Sequence, residues 1–147
     1  MKLSTRVQYG TRALLDIALH GGEGPVLLKD IAQRQQISLL YLAHLITPLV
    51  AAGIIRSTRG ARGGVWLAKP PEEVKLSEVV QLLDGSMALV ECVDDSKTCS
   101  RSDLCVTRDI WGELKQAIDG ILDATTLRDL VERQKKKEQP EELMYYI

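Results

Sequence analysis

Residues 28–68 read LKDIAQRQQISLLYLAHLITPLVAAGIIRSTRGARGGVWLA. Two hydrophobic periods meet in this stretch. Leu28, Ile31 and Ala32 recur at helical spacing, and Leu42, Leu45, Ile46, Leu49 and Val50 do so again. A short helix over 28–35 is therefore followed, after a tight connection through Gln36 and Ile37, by a second helix that Ser38 can cap. Ser38, Tyr41 and His44 fall on the outer face of that second helix. Two short helices with a tight turn between them, the second presenting polar residues near its start, make a helix-turn-helix pattern. Gly53 stops the second helix. Pro48 lies inside it, where it removes a backbone donor and crowds the carbonyl of residue 44. A kink or break is expected there, with the base-reading part limited to about residues 38–46.

The period then changes. Residues 54–59 and Val65–Ala68 read as strands around a turn, Gly60-Ala61-Arg62-Gly63-Gly64. A basic hairpin after a recognition helix is a wing, and Arg59 and Arg62 suit phosphates or a narrow minor groove. The plainer alternative is a hairpin whose glycines serve only the turn. Helix, helix-turn-helix and arginine-bearing hairpin in that order are more specific than any one of them.

Working outward, residues 4–20 form an amphipathic helix that Ser4 or Thr5 can cap, with Tyr9, Ala13, Leu14, Ile17 and Ala18 on one face. Gly21, Gly22, Gly24 and Pro25 end it. Residues 75–84 make a short helix ended by Gly85. Residues 104–122 make a long one, with Leu104, Ile110, Trp111, Leu114, Ala117, Ile118, Ile121 and Leu122 recurring every three or four positions. So wide an apolar face beyond a domain with its own core points to a second copy of the chain, although packing back onto the first helix would also use it. Thr126 and Asp129 open a last short helix to Gln134. The fold class is thus mainly α with a small β-hairpin. A winged helix-turn-helix domain (1–70) leads into a connecting helix and cysteine loop (71–103). A dimerisation helix and short packing helix (104–134) and a mobile charged tail (135–147) follow.

Composition narrows the function. The chain has 147 residues, 45% hydrophobic and 27% charged, with no Phe, an ordinary globular balance. No apolar run approaches a membrane span, and Arg6, Gln8, Arg12 and Asp16 interrupt the N-terminus where a secretory signal would be apolar. A cytoplasmic protein with no membrane partner is expected. Residues 1–70 hold nine Lys/Arg against three Asp/Glu, a net +6, and residues 71–147 hold ten against 17, a net −7. A basic first half suits a polyanion, here double-stranded DNA. No constellation for catalysis is evident: there is no His-Glu-x-x-His, no P-loop after Gly60–Gly64, and no Ser/His/Asp set. Neither an enzyme nor a small-molecule substrate is expected.

All three cysteines, Cys92, Cys99 and Cys105, lie in one polar stretch, ECVDDSKTCSRSDLC. In a reducing compartment such a cluster reads as metal binding or redox chemistry. The C-x6-C-x5-C spacing lacks the tight pairs and four ligands of a zinc site, and His20 and His44 lie elsewhere. Three thiolates can hold three corners of an iron–sulfur cluster with a fourth ligand of another type. Thiol sensing, zinc, or no role are the alternatives.

KLSTRVQYGTRALLDIALH, ISLLYLAHLITPL, GIIRSTRGARGGVWLAKPPEEVKLSEVV and the cysteines before CVTRDIW resemble one family over residues 1–134. It is the family of bacterial winged helix-turn-helix regulators that includes IscR, NsrR and CymR, and the resemblance is greatest to its IscR-like members. It implies a homodimer through residues 104–122 on a palindromic operator, with Arg59 in the minor groove. It further implies a cluster on Cys92, Cys99 and Cys105, and control of iron–sulfur cluster biogenesis genes. Where the IscR pattern has a fourth-ligand histidine this chain has Arg108, which cannot ligate iron, and where some relatives use an acid it has Gln8. The fourth ligand is unassigned among Glu91, Asp94, Asp95, Asp103 and Asp109, and [2Fe–2S] is preferred to [4Fe–4S]. A clusterless thiol-sensing regulator of the same fold, and a small iron–sulfur electron carrier that does not bind DNA, are the competing functions.

Overall fold

The computed structural model describes residues 2–60 and 63–139. Helix α1 (Thr5–His20) starts at Ser4, whose Oγ accepts the Val7 N–H at 3.2 Å. Its inner face buries Val7, Ala13, Leu14 and Ile17. Gly10 is the point of closest approach to α4 (Leu76–Asp84), because a Cβ there would collide with the Leu83 side chain.

Helix α2 (Leu28–Gln35) ends where Gln36 takes the left-handed conformation (φ 55°, ψ 46°). Non-glycine residues adopt it uncommonly, and here it makes the turn tight enough for Ile37 N–H to reach the Ala32 carbonyl at 3.0 Å. Helix α3 (Leu39–Ala51) begins at once, capped by Ser38 Oγ, which accepts the Tyr41 N–H at 3.2 Å. Leu42, Leu45, Ile46 and Leu49 are buried beneath it.

The break expected at Pro48 does not occur, and α3 runs through it to Ala51. The carbonyl that loses its donor belongs to His44, an exposed residue, so water can meet it. The helix needs only one more turn before it ends, and Thr47 Oγ1 adds a bond to the Ala43 carbonyl at 3.0 Å.

Strands β1 (Ile55–Thr58) and β2 (Gly64–Leu67) pair antiparallel, Ile55 opposite Leu67 and Thr58 opposite Gly64. Val26 adds a bridge that periodicity did not reveal. It exchanges two backbone hydrogen bonds of 2.8 Å with Val65. Gly64 permits that approach, since a Cβ there would sit 2.6 Å from the Val26 carbonyl oxygen.

After α4 come a single helical turn, α5 (Glu91–Asp94), two 3₁₀ turns at Ser96–Thr98 and Ser102–Leu104, then α6 (Val106–Ala124) and α7 (Leu127–Glu138). A capping box opens α7, with Thr126 and Asp129 each bonding the other's backbone N–H. Leu76 N–H bonds the Thr125 carbonyl at 2.9 Å and Leu127 N–H bonds the Val74 carbonyl at 2.8 Å.

These bonds place Leu127 in the same core as Leu14, Ile17, Leu42, Val65 and Val79. The core therefore continues past residue 70, through Val74, Val79, Val80 and Leu83 to Leu127. Burying apolar area at both ends of the chain makes one body of α1–α4, the hairpin and α7. The charged stretch from Lys135 is helical to Glu138 rather than a tail, with Lys135, Lys136 and Lys137 in the last turn of α7, where cations favour the helix dipole. Residues 140–147 lie outside the described residues. The architecture is mainly α with one small hairpin, as expected. Among the described residues no helix is long and apolar enough to cross a membrane.

Candidate nucleic-acid interface and cysteine element

The helix-turn-helix is fastened to α1 by a buried carboxylate. Asp16, 1% exposed, accepts hydrogen bonds from Arg34 Nε at 3.0 Å, Arg34 Nη2 at 2.6 Å and Gln35 Nε2 at 2.9 Å. His20 Nδ1 lies 3.5 Å away. Burial raises the Asp16 carboxyl, but the bonds from Arg34 and Gln35 and the charges of Arg34 and His20 outweigh it and hold the pKa below the ordinary range. Arg12 reaches across to the Gln35 side chain and carbonyl. These polar partners fix the end of α2, and with it the angle at which α3 leaves the turn.

Of the outward residues expected on α3, Ser38 is exposed and serves as the cap, and His44 is exposed and unobstructed. Tyr41 is only half free. Its ring meets Tyr9 edge-on at 6.0 Å, Arg12 lies over Tyr9, and its hydroxyl is 3.1 Å from Thr5 Oγ1. It braces α3 against α1 as well as facing outward. Sequence reasoning missed this brace because Thr5 and Tyr9 are 36 and 32 positions away. It also passed over Leu39 and Leu40, which are exposed at the first turn. Arg59 is exposed just beyond β1 and before Gly60 (φ 105°). Arg62 lies outside the described residues.

The cysteine element folds on its own hydrogen bonds. The Ser102 hydroxyl, buried, bonds the carbonyls of Ser96 and Cys99 at 2.9 Å each. Arg108 Nε donates to the Cys92 carbonyl at 2.9 Å, and Nη1 approaches the Ser102 carbonyl at 3.5 Å. The residue that stands where a histidine ligand was sought thus clamps the two ends of the element. Cys99 is exposed, and Cys92 and Cys105 are partly so. Cys105 sits at the start of α6, its Sγ 3.1 Å from Thr107 Oγ1. That bond, helped by the backbone N–H groups of Arg108 and Thr107, holds the Cys105 thiol below the ordinary cysteine range, against desolvation and the charge of Asp109.

Three thiolates fit an iron–sulfur cluster in donor chemistry. They are not gathered as a preformed site: among the described residues no three Cys, His, Asp or Glu side chains are grouped to hold a metal.

Helix α6 contains no fully buried residue. Val106 is 76% exposed, Ile110 51%, Leu114 41% and Ile121 68%. It leans on the body through Leu122, which packs against the core, while Ile110, Trp111, Leu114 and Ile121 of the same broad face stay exposed.

Comparison with known proteins agrees with this architecture. Residues 3–133 match the Rrf2 family, described as an iron-dependent transcriptional regulator. The chain is 51% identical to Protein rrf2 of Nitratidesulfovibrio vulgaris over 131 residues, 89% of this chain and 87% of that one. It is 39% identical to the HTH-type transcriptional regulator IscR of Serratia proteamaculans, over 91% of this chain and 81% of that one. With the CymR regulator of Bacillus subtilis it shares 35% identity over the full length of both. Among solved structures, T. potens IscR superposes with a TM-score of 0.80 at 37% identity, covering 99% of this chain and 97% of that one. CymR, the global cysteine regulator of B. subtilis, superposes with a TM-score of 0.76 at 34% identity, covering 90% and 98%.

Proposed function

Because the chain belongs to the Rrf2 family of transcriptional regulators, we propose that it is a homodimeric, operator-binding regulator whose three-cysteine element senses iron–sulfur cluster status. The observation that carries this reading is one of placement. All three thiols lie between a closed helix-turn-helix body and a helix whose apolar face is uncovered. A change at the element is therefore positioned to alter how two bodies are held relative to each other.

In this reading Ser38 fixes the start of α3, Tyr41 braces it, and His44 reaches base edges from its exposed side. Arg59 and Arg62 hold the hairpin on the backbone or in the minor groove. The apolar row of α6 packs on its counterpart in a second copy. Cys92, Cys99 and Cys105 would hold the cluster, preferably [2Fe–2S], which supplies a prosthetic group whose presence follows iron supply or oxidation. Arg108 keeps the two ends of the element tied through backbone carbonyls and cannot itself be a ligand. The resemblance to IscR-like regulators extends the proposal to its targets, the genes of iron–sulfur cluster assembly.

A second reading, a clusterless thiol sensor, is favoured by the depressed pKa of Cys105. One preparation separates the two. Protein purified without oxygen should be brown and contain iron and sulfide. Cys92→Ala should be colourless but still folded and dimeric. A colourless, iron-free wild type whose DNA binding responds to thiol oxidation would leave only the thiol sensor. Coloured protein that binds no DNA would be an electron carrier. Arg59→Ala should lower the salt dependence of operator binding by about one unit of log–log slope per protomer.

A further inference from the structure

The recognition helix is unusual in what it lacks. Its 13 residues, LLYLAHLITPLVA, include no Lys, Arg, Asp or Glu, so none of the charged or bidentate pairings to guanine or cytosine edges is available from it. The polar groups that remain are partly committed. The Tyr41 hydroxyl lies at hydrogen-bonding distance from Thr5, and Thr47 Oγ1 donates to the Ala43 carbonyl. His44 alone is exposed without a bond to its side chain. Yet the first turn, which leads such a helix into the major groove, exposes two adjacent leucines: Leu39 at 51% and Leu40 at 73%. A single exposed leucine needs no explanation, but a contiguous pair at the leading edge of a reading helix forms an apolar patch.

We propose that Leu39 and Leu40 read thymine 5-methyl groups, so that each half-site of the operator carries thymine under the first turn of α3. This rests on the operator-binding reading and deepens it. The occupant follows from two observations. The only apolar group that bases present in the major groove is the thymine methyl. The half of the chain around the patch carries a net +6 (nine Lys/Arg, three Asp/Glu), which complements phosphates rather than a second copy of the same basic surface. Discrimination at the helix then comes from apolar contact beside the base edge that His44 reads, while Arg59 supplies affinity from the hairpin.

The test uses the full-length wild-type protein and duplexes selected from a random-sequence pool. In the selected duplexes, each thymine is replaced in turn by deoxyuridine, which removes the methyl and leaves base pairing intact. At one or two positions per half-site the replacement should weaken binding about four-fold, and about fifteen-fold when made in both half-sites, the scale of one buried methyl each. Leu40→Ala, a change at a surface position that leaves the core untouched, should bind the thymine and deoxyuridine duplexes equally. Leu39→Ala should lose a smaller part of the difference. Equal binding of both duplexes by the wild type overturns the proposal, as does a deoxyuridine penalty that both leucine variants retain. If the leucine variants instead lower the mass of the assembly, the patch belongs to a contact between copies and the proposal also fails. Recovery of no bound duplex would overturn the operator-binding reading itself.

Discussion

Two regions of this chain fold by different rules. In the body, residues 5–85 with α7, the buried side chains among the described residues are apolar with the exception of Asp16, and each helix has a face that another covers. Between residues 86 and 126 the one buried residue is Ser102, and its hydroxyl is there to bond two carbonyls of its own loop. The body is held by the removal of apolar surface from water; the excursion touches that core only through Met87 and Leu122, is held by hydrogen bonds around Ser102, and leaves much of its apolar surface outside. A region built in the first way is complete alone. The excursion instead leaves Val106, Ile110 and Ile121 in water.

The contrast can be broken from either side. Leu14 is fully buried, and Leu14→Ala should cost about 3–4 kcal/mol, a core truncation measured as a lower urea midpoint with an unchanged slope. The paired change Ile110→Glu and Leu114→Glu should do the opposite. It should leave the body folded by circular dichroism but weaken self-association by at least about a hundred-fold, near 3 kcal/mol, because it places charges in an apolar interface. Sedimentation would show monomer; a dimer of unchanged affinity would mean that α6 is not the interface.

Asp16 sharpens the comparison through pH. Its native pKa lies below its unfolded value, so its contribution is present above about pH 4 and is lost as pH falls through that value toward the native one. Asp16→Asn should cost about 2 kcal/mol at pH 7, less than a fully enclosed pair because Arg34 reaches solvent. The gap between wild type and variant should narrow by pH 3. A constant gap across that range would remove the carboxylate from the account.

The smallest effect belongs to the excursion. Arg108→Ala removes the bond to the Cys92 carbonyl, worth about 1 kcal/mol. Amide exchange across residues 92–104 should quicken by about five-fold while the global midpoint stays put. Unaltered exchange would mean that Arg108 does not hold the element closed.

The same division separates what was legible in the sequence from what was not. Helix periods and caps are local, so α1, α2 and α3 fall within a residue or two of expectation and Ser38 caps as expected. A break at Pro48 was one of the two outcomes expected and does not occur, because the cost of a proline depends on whether the orphaned carbonyl faces water, which only the fold decides. Val26 was missed because a single bridging residue has no period. A short packing helix was expected where α7 lies, but not what it packs on, because the partners of Leu127 are remote in sequence. At the candidate sites, residue types were legible and relationships were not. The three cysteines and their spacing could be read from the sequence, but the clamp by Arg108 and the brace of Tyr41 on α1 depend on tertiary contacts.

The bond between Leu76 N–H and the Thr125 carbonyl has a mechanical side. It fastens one end of α6 to the body, together with Leu122 and Leu127, while the other end, beginning at Val106, is exposed. A 19-residue helix is about 28 Å long, so a rotation of about 10° about the fastened end sweeps the Cys105 end through about 5 Å. Cys105 thus sits at the long end of a lever whose fulcrum is the body core. A small force applied there has the greatest mechanical advantage over the angle between α6 and the body.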